Sequence, residues 1–263
     1  MATAAAEKKL AKPETADLVA LAMRLGDDAL VLGQRYSEWV GHAPALELEM
    51  AVSNLALDLI GEAQLWLDLA GRLEGRGRDA DRLAYLRDVL DFTNLLIVEQ
   101  PNHDWAYTVL RHYLYSVYHR LLVEGLTQAP DAGVAEIARK VLPEVRYHVK
   151  FAHSWVLRLG DGTEESHRRL QAALDRLWRF TGEMFVDDEL TTRLEAAGFP
   201  PLASGLKAAW EEEVGATLKE AGVTPPQPKQ MITGGRIGHH GEHLGHLLAE
   251  LQFLQRAYPG LEW

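Results

Sequence analysis

Acidic and histidine side chains set one turn apart on long helices are the residues of this chain that could do chemistry, and that chemistry would be metal-centred. A di-iron centre inside a helical bundle takes a Glu from each of two helices and a Glu-x-x-His from each of two others. The Glu of the repeat bridges metals, and the His one turn on fixes one of them. The two stretches best suited to that repeat read Asp58-Leu59-Ile60-Gly61 and Glu144-Val145-Arg146-Tyr147. Each keeps a carboxylate, and neither has a His at the third position, where Gly61 and Tyr147 stand. Asp28 precedes Asp58 by a span that two antiparallel helices would bring level, which makes Asp28, Asp58 and Glu144 the carboxylates of a degenerate site. His148 follows Glu144 by four residues, and one residue of slip turns a side chain about 100° around the helix. The ligand set is therefore incomplete, and no metal is expected on this chain. Carboxylates buried without metal need counter-charges; Arg35, Arg146 and Lys150 are the candidates.

Two other groups invite a chemical reading. The literal Glu-x-x-His of Glu164 to His167 follows Gly162-Thr163, so it reads as a helix start with Thr163 as N-cap and acids favoured by the dipole. His239, His240, Glu242, His243 and His246 crowd near the C-terminus at spacings compatible with zinc, but glycines at 234, 235, 238, 241 and 245 make a Gly-rich lead-in to a helix the preferred reading. Arg236 in that turn could hold a phosphate. No P-loop, nucleophile elbow or dinucleotide fingerprint occurs in a strand–turn–helix setting.

The elements that must position these residues are helices throughout. Helical periodicity covers about Ala16 to Ser37, Glu47 to Leu69, Asp104 to Glu124, Gly133 to Leu159 and Glu164 to Phe185. Pro143 should kink or split the fourth of these. Gly71 to Asp81 reads as a solvated loop, and Ala221 to Gly235, with Pro225, Pro226 and Pro228, as irregular chain. A last helix should begin near His240 and end before Pro259. Residues 1–15 read as a disordered leader without the apolar core of a signal peptide, and 16–263 as a single domain. The 263 residues carry a net charge of −11, which argues against a nucleic-acid backbone as partner and is compatible with a basic protein. Apolar runs fall short of the roughly 20 residues of a membrane span. The absence of Cys removes thiolate chemistry and disulfides and fits a cytoplasmic setting.

Several colinear motifs resemble one family. Arg24-Leu25-Gly26-Asp27, Glu38-Trp39 and Gly41-His42-Ala43-Pro44 are similar to the opening of the C-type subunits of phenylacetyl-CoA epoxidases. Leu95 to Asn102, including Glu99, Gln100 and Asn102, follows. Arg146-Tyr147-His148, Leu159 to Thr163 and Leu177 to Thr181 continue in order, and Thr233-Gly234-Gly235 through His243-Leu244-Gly245 closes the series. The resemblance spans about Leu18 to Trp263. It implies an all-α, ferritin-like bundle with long antiparallel core helices and additional C-terminal helices. It also implies membership of a multicomponent oxygenase that epoxidises the ring of phenylacetyl-CoA. The di-iron cofactor would then sit on a homologous, A-type catalytic subunit, with this chain as its non-catalytic structural partner. Glu38, Trp39, His42, Glu99, Gln100, Asn102, Gly234, Gly235 and His243 are then candidate interface residues. Trp39, Tyr107, Tyr115 and Trp155 are candidates for core or interface. Other subunits of the complex and a homo-oligomer are further expected partners. Two alternatives stand beside this one: an autonomous di-iron oxidase using Asp28, Asp58, Glu144 and His148, and a CoA-binding module using Arg236.

Overall fold

A computed structural model describes residues 13–261, so the leader expected over 1–15 lies almost wholly outside the described residues. Two antiparallel helix pairs form the bundle. The first pairs α1 (Thr15–Ser37) with α2 (Leu46–Glu74) across a turn at residues 38–45. Leu18, Leu21, Ala22, Leu25, Ala29 and Leu32, the apolar stripe of α1, are all buried. Short side chains set how closely this pair approaches. A Cβ on Gly26 would press into Leu67, and one on Gly33 would crowd Leu59 and Ile60.

After α3 (Ala80–Tyr85) and the single-turn α4 (Leu96–Glu99), the second pair joins α5 (Trp105–Leu126) to α6 (Ala132–Gly160). Helix α5 is buried on every side, which explains how it accommodates so many aromatic residues. Tyr107 and Tyr115 belong to this core. Trp39 and Trp155 stand half-buried at its edge, each edge-to-face with Trp105. Helix α6 runs unbroken through Pro143 rather than splitting there. Pro143 and Arg139, whose carbonyl loses its partner, both lie on the exposed face, so water can take the freed acceptor.

Helix α7 (Glu164–Leu177) opens on Thr163, whose side chain accepts from the Ser166 amide; Glu164 is exposed, as expected of a helix start. The chain then tightens into a 3-10 segment, Trp178–Phe185, where sequence periodicity suggested continuous helix. Helices α8 (Glu189–Ala196) and α9 (Lys207–Glu220) follow, and Trp210 of α9 donates its indole N–H to the Leu114 carbonyl at 2.9 Å. A largely irregular stretch leads to α10 (Glu242–Leu251) and α11 (Phe253–Ala257), so the last helical region starts two residues beyond His240 and breaks at Gln252. Helix α2 extends through Gly71 to Glu74, into the stretch expected to be loop. No strand occurs among the described residues, and none of their helices is long and apolar enough to cross a membrane.

Candidate functional site

The packing register of α1 on α2 decides which carboxylates can meet. With Gly26 against Leu67 and Gly33 against Ile60, Asp28 lies opposite the turn of α2 around Glu62 to Leu65, and not opposite Asp58. The inward face of α2 carries Leu55, Leu59, Glu62, Ala63 and Trp66. Gly61 stands two residues from both Leu59 and Ala63, about 200° away around the helix, and faces solvent. On α6 the inward residues are Val141, Val145, His148 and Ala152, so Tyr147 and Glu144 are both exposed. The two expected histidine positions, Gly61 and Tyr147, are thus corrected: they point away from the bundle interior. His148 is the buried one, and its Nε2 meets Asp58 Oδ2 at 3.2 Å.

The interior instead holds a chain of paired polar groups. Glu62 Oε1 accepts from His119 Nε2 and from Trp66 Nε1, each at 2.9 Å. Burial works against charge on both members of the Glu62–His119 pair, but mutual attraction wins. The Glu62 pKa is lowered and the His119 pKa raised, as for an ion pair. Asp28 accepts from the Leu95 amide at 2.7 Å and receives a two-pronged contact from Arg236, at 3.1 and 2.7 Å. Burial outweighs the pull of Arg236 and leaves the Asp28 pKa raised, while Asp28 holds Arg236 protonated. Two guanidinium N–H groups aimed at two carboxylate oxygens are the geometry of an ionised pair. Asp27, also buried, takes a fork from Arg87 and the amide of Thr93.

The counter-charges expected from sequence lie elsewhere. Arg35 bonds Glu38 and the carbonyls of Glu99 and His243, and Arg146 bonds Glu124. Lys150 is exposed, with no carboxylate within 4 Å among the described residues. Arg236 spends its donors on Asp28 and the Thr93 carbonyl, which removes it as the phosphate anchor of a CoA site. Asp28, Asp58, Glu144 and His148 do not form one cluster. Among the described residues no three His, Asp or Glu side chains converge on a point that could hold a metal ion. A di-iron group does not fit this interior. Its best-buried carboxylates already serve a guanidinium, an imidazole, an indole and an amide, and a guanidinium beside Asp28 repels a cation.

The motif residues near Leu95 to Asn102 and Gly234 to His243 come together in a latch that runs along α1 from Asp27 to Arg35. Glu99, fully buried, accepts from Asn94 Nδ2 at 3.1 Å, the Gly241 amide at 2.6 Å and His240 Nδ1 at 2.8 Å. His240 Nε2 faces the Phe92 carbonyl at 2.8 Å. Both ring nitrogens meet acceptors, so both donate. Although burial opposes it, Glu99 and the carbonyl raise the His240 pKa. Glu183 accepts the amides of Leu96, Gly234 and Gly235, each at 2.7 Å. Gly234 adopts φ +144°, and a Cβ on Gly235 would collide with the Asn94 carbonyl, so this crossing needs both glycines. Asn102 ties the Arg35 carbonyl and Glu38 to Arg111, which also donates to the Gln100 carbonyl. Trp39 donates to Thr108 at 3.0 Å. His42 is exposed, and its ring Nδ1 meets the Val40 carbonyl of its own turn. His243 contributes its carbonyl to Arg35, while His239 and His246 are exposed, so the C-terminal histidines disperse.

Sequence reasoning missed Glu62, His119, Glu183 and the Arg236–Asp28 pair. A signal existed for two of them. Glu62 and His119 sit on otherwise apolar helix faces, one turn from Leu59 and Tyr115. Glu183 and Arg236 carry no such signal, since their partners are distant in sequence.

Comparison with known proteins agrees with this architecture. The family model of the phenylacetic acid catabolic proteins matches residues 1–263. The chain is 46% identical over 246 residues, 94% of its length and 99% of the relative's, to the C subunit of 1,2-phenylacetyl-CoA epoxidase from Escherichia coli K12. With an all-helical bundle and a match along its whole length, the chain belongs to the phenylacetic acid catabolic protein family.

Proposed function

We propose that this chain is a non-catalytic subunit of a multicomponent, cytoplasmic oxygenase that epoxidises the aromatic ring of phenylacetyl-CoA, and that it binds and stabilises the catalytic subunit, which holds the di-iron centre. The similarity to the C subunit of such an epoxidase supports the pathway and the multi-subunit setting. The observation that carries the non-catalytic reading is the fate of the interior carboxylates. Asp28 and Glu62, buried acids on the paired helices α1 and α2, are each matched by a protein cation, Arg236 and His119. A bundle wired in this way offers a rigid surface to a partner rather than open coordination positions.

The test has two readouts. After anaerobic Fe(II) loading and desalting, the purified chain is expected to retain close to no iron, and co-expression with the catalytic subunit of the same system is expected to yield a stable complex. Two irons per chain, or ring epoxidation by this chain with a reductase alone, would overturn the proposal.

A further inference from the structure

Helix α2 presents to solvent an apolar stripe that none of the described residues covers. Leu46, Met50 and Leu57 are 71%, 62% and 66% exposed. At about 100° per residue these three and Gly61 fall within about 60° of one another. They mark a band about 22 Å long at 1.5 Å per residue, with Ser53 and Asn54 between Met50 and Leu57. Tyr147, 48% exposed, lies on the adjoining helix α6, one residue from His148, which bonds Asp58 of α2 and so brings the two faces side by side.

Gly61 adds a second signal. Inside the molecule, Gly26 and Gly33 of α1 let α2 pack close, with Leu67 and Leu59 against them. Gly61 has nothing within 4 Å of where its Cβ would stand. A glycine in a helix interior costs stability, and here no contact among the described residues compensates for it.

The margins of the stripe choose the occupant. Glu49 flanks one edge, and Glu47 and Asp58 the other; α2 carries no Lys or Arg before Arg72. Glu144 of α6 adjoins Asp58. Its carboxyl is pushed up by partial burial and then by Asp58 and Glu62, as expected beside a concentration of negative charge. The α6 edge is mixed, since Lys140 also faces Glu144. Pairing this stripe with a second copy of itself would set Glu47, Glu49 and Asp58 against their own counterparts. A partner helix with Lys or Arg along its margins would meet opposite charge on both edges.

We infer that the Leu46–Met50–Leu57–Gly61 face of α2, continued by Tyr147, is the docking surface for an apolar helix with basic margins on the catalytic subunit. This rests on the accessory-subunit reading above. The experiment is a titration of the catalytic subunit with the wild-type chain and with Leu57→Arg and Glu49→Lys, their folds checked by circular dichroism and thermal unfolding. It is accompanied by hydrogen exchange of the complex. Both side chains reach solvent, so the fold should persist. The expected result is at least a ten-fold rise in Kd for Leu57→Arg, a smaller rise for Glu49→Lys that shrinks with added salt, and new amide protection along residues 46–61 in the complex. Wild-type affinity in both variants, without protection of 46–61, would sink the inference while leaving the accessory-subunit reading intact. Failure of the wild-type chain to bind at all would sink that reading instead. A wild-type homodimer that Leu57→Arg dissociates, with the hetero-complex unaffected, would assign the face to a second copy and overturn the proposal.

Discussion

Asp28 and His112 show how differently two buried polar side chains can be supported. Asp28 is matched by Arg236, and removing one member of a buried pair leaves the other charge uncompensated. Asp28→Ala is expected to cost about 3–5 kcal/mol, read as a fall in the denaturant midpoint; an unchanged midpoint would mean that Arg236 finds another partner. His112 is fully buried, lies edge-on to Tyr36 at 4.7 Å between ring centroids, and has no hydrogen-bond partner among the described residues at either ring nitrogen. Burial, with His148 and Arg111 nearby, pushes its pKa well below 6.5. The unfolded chain therefore binds a proton that the folded one refuses, and stability falls as pH drops below about 6.5. His119 and His240 act with the opposite sign. Their folded pKa values are raised, so their contribution is complete below about 6.5 and is lost as pH rises through the folded values. Glu62, lowered from 4.5, adds a loss only in stronger acid. Thermal unfolding across pH should thus give a maximum. In His112→Phe, the limb just below pH 6.5 should flatten with little cost at neutral pH, because an unpartnered imidazole gives way to an apolar ring. A limb of unchanged slope would remove His112 as its cause.

Among the elements, the 93–102 crossing and the 234–243 turn matter more than their short helices suggest. They run along α1 from Asp27 to Arg35 and are fastened by buried carboxylates: Asp28 and Glu183 from elsewhere in the chain, and Glu99 of the crossing itself. Replacing Glu183 by Ala would strand the buried amides of Leu96 and Gly235 and the partly buried one of Gly234. An unsatisfied buried group costs about 1–3 kcal/mol. Glu183→Ala should therefore loosen this latch by several kcal/mol, with hydrogen exchange rising first at Leu96 and Gly235. Uniform exchange across the bundle would mean that the latch does not unfold as a separate unit. Most of the motif residues, Glu99, Gln100, Asn102, Gly234, Gly235 and His243 among them, serve this latch or border it. His42 is exposed and outside the latch, and Arg146 and His148 serve Glu124 and Asp58 instead.

At the scale of the whole molecule, a net charge of −11 is spread over a bundle whose interior charges are mostly paired internally. The surface therefore carries the excess acid. A partner bringing Lys and Arg would relieve self-repulsion as well as cover apolar area, and binding to the folded state alone raises apparent stability by mass action. The complex expected on co-expression thus has a physical driving force in addition to the similarity to an epoxidase component.

What the sequence determined by itself was the local structure and the family. Period-3.6 stripes placed α1, α2, α5 and α6 to within a few residues, since helix formation and amphipathicity are decided by neighbours along the chain. The Thr163 cap and the prolines of the irregular stretch were legible for the same reason. Only the tertiary structure decided which acids face inward and what meets them. Inter-helix register rests on contacts such as Gly26 with Leu67, and a shift of one residue turns a side chain by about 100°. Asp58 and Glu144 were therefore set at the wrong level and face, and Glu62 and His119 passed unnoticed. The Asp28–Arg236 and Glu183–Gly235 pairings join positions far apart in the chain. Those partners become neighbours only when the bundle closes.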